Sequence, residues 1–408
     1  MKAFEKLIVN VEKDILTNVL VSPKDNSASK NTQEKYITIS NGDGKTWIFP
    51  CRNIKVGMNL YQPSSLKGKL LKHFLPYCYF IPAIQKMLKI QSKEYSINKD
   101  FLKLICRTFN DKSFQLAVFL GTPCIHQKAT IQVFSGSKIK GYCKVSSSEK
   151  IQELFAHEES ILGVLNSKRI KNIPECLYRG WLNSDKAIQI FIQSTAKTIK
   201  SKIKHTLLPC HFSFLRDFSD MTKTRLAYEE TEFSAVLQGL KKNCEYLQED
   251  KDFSKSDCST LVYAVGKVEE HYWEGFDMFT AYHRDFTPWN MLYEKSLSDY
   301  AGLFVFDFEY AGLTYPPMLD LFHYHTQTAI YEKRYSANKI FTSYLKLKKS
   351  KAFRQYSIQK PNFLYLCYLL DIVAFYLERD KGMYSKEIKQ NLKVWLNLIV
   401  LLTEDIYS

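Results

Sequence analysis

Asp285, Asn290 and Asp307 stand five and 17 residues apart in two short stretches, His283-Arg284-Asp285-Phe286-Thr287-Pro288-Trp289-Asn290 and Val305-Phe306-Asp307-Phe308-Glu309. Phosphoryl transfer from ATP needs such a set. One carboxylate orients and deprotonates the acceptor hydroxyl, while an amide oxygen and another carboxylate hold the magnesium ions that neutralise the β- and γ-phosphates. The spacing has a structural reason. A tight loop after a strand presents Asp285 and Asn290, and the next strand, 303–306, delivers Asp307 beside them. Either stretch alone is a weak signal. An isolated His-x-Asp is usually a capped turn, and an isolated Asp-x-Glu usually a solvated strand end; together, in order, they point to one centre.

The pair of stretches resembles the catalytic core of the aminoglycoside phosphotransferase and choline kinase superfamily, whose pattern is His-x-Asp-x-x-x-x-Asn followed by hydrophobic-Asp-Phe/Trp-Glu. The extension Phe306-Asp307-Phe308-Glu309-Tyr310-Ala311-Gly312, then Asp320-Leu321, is especially similar to the choline kinase and bacterial phosphotransferase branch. The resemblance implies Asp285 as catalytic base, Asn290 and Asp307 as magnesium ligands, Glu309 as a further metal ligand or its close neighbour, and His283 as a scaffold residue. It implies an α+β, bilobal protein-kinase-like fold, with a β-rich small lobe and a helical large lobe. ATP and Mg2+ would be the cofactors, and a small-molecule hydroxyl the acceptor.

The elements that must position these residues follow. From Gln115 the chain turns to short β-rich runs, 116–120, 129–134 and 139–145. A helix comes next, because Ile151, Leu154, Phe155, Glu158, Leu162 and Leu165 share one face. An acid in that apolar stripe needs a buried partner, and Lys144 at the preceding strand end is placed to be it. A strand lysine paired with a helix glutamate, contacting the α- and β-phosphates, is the arrangement this fold uses; Glu159 is the alternative partner. Residues 187–193 form a strand leading to the hinge, where backbone groups near Gln193 and Ser194 would meet adenine. Between Phe119 and Thr130 the expected phosphate-covering loop has Gly121 alone and no Gly-x-Gly-x-x-Gly. Helices over 233–247 and 259–272 precede the catalytic loop, and two more cover 363–377 and 388–402. Lys197, Lys200, Lys202 and Lys204 read as a solvated loop.

Three competing readings are open. His-Arg-Asp is the signature of protein kinases, but Thr287 replaces their catalytic-loop lysine, Glu309 replaces the glycine of Asp-Phe-Gly, and no Ala-Pro-Glu follows. Only 12 residues separate Asp307 from Asp320, too few for a peptide-holding segment. An inactive kinase-like binding or regulatory protein would ordinarily have lost one of Lys144, Asp285, Asn290 or Asp307. An unrelated structural protein has no feature in its favour. Candidate acceptors are a saccharide hydroxyl, an amino alcohol such as choline, or an aminoglycoside. Trp289, Tyr310, Tyr315 and Tyr324 could cage a quaternary ammonium, though 14% of the chain is aromatic. Aminoglycosides are cationic and a +15 chain suits them less, so the reading leans to an envelope saccharide or related metabolite.

With 408 residues, 45% of them apolar, the chain can bury a full core. Three segments are expected: a basic N-terminal extension over 1–110, a small lobe over 111–193 and a large lobe over 194–408. Glu5 and Lys6 interrupt the first apolar run, so no signal peptide is expected. The apolar stretches 70–90 and 363–377 are each broken by prolines or charges, which argues against a spanning helix. Ten cysteines without a Cys-x-x-Cys pair read as reduced thiols of a cytoplasmic protein, without structural zinc. In 1–110 there are 18 Lys+Arg against 8 Asp+Glu, a net +10. That excess is either a solvated surface or an attraction to an anionic saccharide or membrane; no nucleic-acid motif accompanies it. Residues 35–49 read as a β-hairpin around Asn41-Gly42-Asp43-Gly44, 22–34 as a loop, and 66–88 as short proline-broken helices.

Overall fold

The computed structural model describes residues 15–407 apart from 64, 124–126, 183–186, 273–275 and 357. It is α+β, and it divides into two compact units. The first comprises the described residues up to Gly163 with Ile173–Ser201, and the second comprises Val164–Asn172 and the chain from Lys202 onward.

The first unit is built on a nine-stranded sheet. Its strands are β1 (Leu20–Val21), β2 (Glu34–Ser40), β3 (Thr46–Pro50), β4 (Gln91–Ile97), β5 (Gln115–Leu120), β6 (Ala129–Ser135), β7 (Lys138–Ser146), β8 (Cys176–Trp181) and β9 (Gln189–Ser194). They run antiparallel in the order β1-β4-β2-β3-β5-β6-β7-β9-β8. The two-residue period of the strands sorts the side chains. Leu116, Val118, Ile131, Val133, Cys143 and Val145 turn to one face, where Phe101 and Ile105 of helix Lys99–Phe109 cover them. Ala117, Phe134 and Ile139 turn to the other, against Ile37, Phe49 and Leu75.

The expected hairpin is β2–β3, with Ser40 opposite Thr46. Asn41 Oδ1 closes it by accepting the amides of Asp43 and Lys45 at 3.1 and 2.9 Å, and Gly44 takes the positive φ of +76°. Strand β3 then pairs with β5, Trp47 opposite Phe119, so residues ahead of position 110 belong to the same sheet as those after it. The proline-broken run folds as α1 (Leu66–Cys78), with Pro76 inside, and α2 (Pro82–Met87), with its proline at the permissive first turn.

In the second unit the helices α3 (Pro209–Thr222), α4 (Glu232–Asn243), α5 (Lys255–Tyr272), α6 (Leu319–Tyr331), α7 (Ala337–Lys348), α8 (Pro361–Asp380) and α9 (Lys386–Tyr407) surround two small sheets. Helix α8 is long and apolar enough to cross a membrane, but 72% of its apolar window is buried inside the fold. It is a core helix. The described cysteines are all free thiols.

One position shows how tightly the first sheet is closed. A Cβ on Gly141 of β7 would come within 2.5 Å of the Gln193 carbonyl and 2.7 Å of the Phe109 ring. Overpacking of this kind costs about 1–3 kcal/mol. Gly141→Ala should therefore lower the melting temperature by roughly 2–10 °C, and an unchanged calorimetric transition would show that both the Gln193 backbone and the Phe109 ring give way freely.

Candidate active site

Strand β10 (Thr224–Ala227) pairs with β11 (Phe276–Tyr282), which ends in the loop that carries Asp285, and a 3-10 turn at Pro288–Asn290 leads into β12 (Met291–Tyr293). β12 pairs with β13 (Leu303–Val305), Met291 opposite Val305. The pairing continues one step further, where the Phe306 amide donates to the Asn290 carbonyl at 3.0 Å. Asn290 and Asp307 are thereby neighbours across a hairpin.

The Asn290 side chain donates through Nδ2 to Asp285 Oδ2 at 2.7 Å and to the Asp285 carbonyl at 3.0 Å. Both partners only accept, so the amide nitrogen is fixed there and Oδ1 faces away from Asp285. Asn290 is buried, whereas the Asp285 side chain is 34% exposed. Asp307 has φ +71° and Arg284 φ +66°. Such non-glycine residues in the left-handed region are strained, and they cluster at functional sites. Carboxylate oxygens of Asp307 and Glu309 come within 4.8 Å of each other. Burial first, then the charges of Glu309 and Asp307, and more weakly that of Asp285, push the Tyr310 phenol well above its usual range. Two carboxylates that close together are hard oxygen donors of the kind a divalent cation such as Mg2+ takes.

The loop's shape is enforced from beneath. Asp320, at the start of α6, accepts the amides of His283 and Arg284 at 2.9 and 3.2 Å. Burial pushes its carboxyl up to about 8, against the pull of those two donors. His283 Nε2 lies 3.0 Å from the Phe306 carbonyl and must donate, while its Nδ1 accepts the Asp285 amide at 3.2 Å. The ring is therefore a neutral Nε2–H tautomer, and burial pushes its pKa down to about 4. The Arg284 guanidinium forks onto buried Asp371 of α8 at 2.8 and 3.1 Å. Thr287 Oγ1 donates back to the Asp285 carbonyl at 3.3 Å.

In the first unit Lys144 Nζ donates to Glu158 Oε2 at 2.6 Å, and both are buried. Glu159 is bound elsewhere, to Arg179 Nε at 2.5 Å. Gln193, expected at a hinge, is a mid-sheet residue, opposite Tyr142. Ser194 has committed its amide to the Glu175 carbonyl at 2.9 Å, and its Oγ accepts the Glu175 amide at 2.8 Å. The loop after Gly121 lies partly outside the described residues, at 124–126.

Two expectations are corrected. Lys197 is buried and not part of a solvated loop; its Nζ donates to the Asn59 carbonyl at 2.9 Å, and burial, then the charge of Lys72, lower its pKa to about 7. Of the four aromatics offered as a cage, Tyr315 and Tyr324 are core residues, packed on Phe233 and His211. Sequence reading also missed His323, whose Nε2 lies 3.5 Å from Asp285 Oδ1. It is one helical turn beyond Asp320, on the same side of α6, and that spacing is the signal that could have found it.

No family model matches the sequence, and no curated protein sequence matches it. Among solved structures the chain is similar to APH(2'')-IIa in a ternary complex with streptomycin and ATP, at 11% identity over 73% of this chain and 95% of that one, TM-score 0.43. It is similar to a thermostable variant of the aminoglycoside phosphotransferase APH(4)-Ia with ADP and hygromycin B, at 11% identity over 75% and 98%, TM-score 0.43. A protein of Haemophilus somnus 129PT assigned as a fructosamine-3-kinase matches at 11% identity over 74% and 96%, TM-score 0.45. At such values the chemistry of this chain rests on its own residues.

Buried imidazoles give the second unit a pH signature. Burial holds His211, His283 and His325 each near 4, against an ordinary 6.5. As pH falls from 6.5 to 4 the unfolded chain takes protons the folded one refuses, so stability is lost across that window. Asp320, raised to about 8, has the opposite sign; its contribution is complete below its unfolded value of 3.8 and lost as pH rises through 8. Asp371, also raised by its burial, has that same sign. Three groups outweigh two. Melting temperature should decline between pH 6.5 and 4; a flat profile there would mean the imidazoles are charged in the folded state.

Proposed function

We propose that the protein is an ATP-dependent kinase that moves the γ-phosphate to a hydroxyl of a small molecule. The observation that carries this is the bonded pair of Asp285 and Asn290, with Asp307 delivered beside Asn290 by the β12–β13 hairpin. In this reading Asp285 is the catalytic base. Asn290 holds one of its oxygens, leaving the carboxylate oriented and partly open to an acceptor hydroxyl, from which it takes the proton. Asn290 Oδ1 and Asp307 would hold Mg2+, with Glu309 as a further ligand. When bound, the ion neutralises charge on the transferring phosphate. Lys144, fixed by Glu158, would contact the α- and β-phosphates. Because the amide and hydroxyl of Ser194 are already engaged, adenine would use the remaining backbone groups around Gln193 and Ser194.

Functionally, we assign 111–193 to nucleotide binding and 194–408 to catalysis, and give 1–110 no role in phosphotransfer. A small acceptor is favoured over a peptide because the chain passes from Asp307 through β14 (Gly312–Tyr315) straight into α6, with no peptide-holding segment between. Within the hydroxyl acceptors we favour a saccharide or amino alcohol, used in the cytoplasm where ATP is available.

The test is turnover against a panel of hydroxyl acceptors. Asp285→Asn should lose about 10²–10⁴-fold in rate while still binding nucleotide. Asp307→Ala should lose the magnesium dependence of that binding. Near-normal turnover in the first variant, or an unaltered magnesium titration in the second, would refute the assigned roles.

A further inference from the structure

Helix α1 carries Leu66, Leu70, Phe74 and Tyr77 at spacings of four, four and three, so they line one stripe. They are exposed at 74, 51, 55 and 62%. The opposite side of the helix is spent on the fold. Gly68 and Leu75 are buried there, and Leu71 packs on the sheet cluster containing Phe49. Beyond the helix Phe80 is 64% exposed, and Met87 at the end of α2 is 68% exposed. Single exposed apolar side chains need no explanation, but a continuous row of this kind marks an interaction surface.

Charge says what covers it. Between Asp43 and Glu94 the chain has nine Lys and Arg and no acidic residue. Lys67 and Lys69 are exposed and border the stripe on its two sides at 100° per residue; Lys86 and Lys89 are exposed beside Met87. Lys72 points to the inner flank and is half-buried, so it is not among them. An apolar stripe with leucine and aromatic side chains, rimmed by cations and free of acids, is the pattern of a helix lying in the interface of an anionic bilayer. Its apolar side chains enter the headgroup and acyl boundary while the lysines meet lipid phosphates. A neutral protein groove would leave those cations without counter-charges.

We propose that the exposed stripe of α1 docks the protein on an anionic membrane leaflet. The two contributions are separable. Lipid charge supplies the long-range attraction, screened over a Debye length of about 8–10 Å, and Leu66, Leu70, Phe74 and Tyr77 supply salt-resistant anchoring. The surface is separate from the residues assigned to phosphotransfer, and its readout is binding, so it stands or falls independently of the kinase reading.

The experiment is sedimentation of the full chain with vesicles of phosphatidylcholine, alone or with about 30 mol % phosphatidylglycerol. Binding is expected to the anionic vesicles only. Lys67→Glu with Lys69→Glu should weaken it by roughly tenfold or more. Leu70→Ser with Phe74→Ser should weaken it comparably at unchanged charge, and make the remainder sensitive to salt. All four side chains are exposed, so these variants should melt like the parent, which calorimetry verifies. Absence of binding to anionic vesicles overturns the proposal. Capture by an acidic polypeptide such as polyglutamate, without vesicle binding, overturns it in favour of a protein partner. Undiminished vesicle binding by the double serine variant overturns the docking face, since charge alone would then suffice.

Discussion

Two backbone amides donate to one buried carboxylate, Asp320, and the loop that carries Asp285 depends on that contact. Arg284 is held in the left-handed region, a conformation that costs of order 1–3 kcal/mol for a residue with a side chain. Its amide and that of His283 lie where water does not compensate a lost hydrogen bond. Asp320 satisfies both at once. The bent backbone then aims the Arg284 side chain into the core, where Asp371 receives it, and turns Asp285 outward.

Two buried ion pairs do comparable work in the two units. Lys144–Glu158 fixes a cation at the end of β7, and Arg284–Asp371 fixes the base of the loop that carries Asp285. Pairs of this kind add little net stability, because desolvation offsets the attraction, yet removing one partner costs about 3–5 kcal/mol. What they provide is position. A lysine without Glu158 has several rotamers to choose from, and Arg284 without Asp371 loses the partner that fixes its side chain. Function here is tied to unique geometry more than to stability.

Much of this was legible in the sequence, for local reasons. The interval from Asp285 to Asn290 is one tight loop and turn, and Asp307 follows a short hairpin, so linear spacing maps directly onto space. Glu158 betrayed itself as an acid in an apolar helical stripe, and Asn41-Gly42-Asp43-Gly44 as a hairpin turn. The rest depends on distant pairing. Asp371 is 86 residues beyond Asp285 in a helix that reads as core, and nothing in its neighbourhood reveals that Arg284 will reach it. The union of β3 with β5, which builds the N-terminal strands into one sheet, is a non-local strand pairing that periodicity cannot announce. Lys197 reads as one lysine among four, and only its packing against Asn59 and Tyr142 shows it to be buried. Composition showed residues 66–88 to be apolar and basic, but which side of α1 the sheet consumes could not be known beforehand.

The central claim is that Asp285, Asn290 and Asp307 transfer a phosphoryl group to a small molecule. The most direct measurement follows the γ-phosphate itself. The full chain would be incubated with γ-labelled ATP, Mg2+ and a fractionated mixture of small hydroxyl compounds, and the products separated by size. The account predicts label in a new low-molecular-weight phosphate ester, dependent on Mg2+ and on an added fraction. Label confined to protein serine or threonine, or ATP bound with no transfer to any fraction, would contradict it.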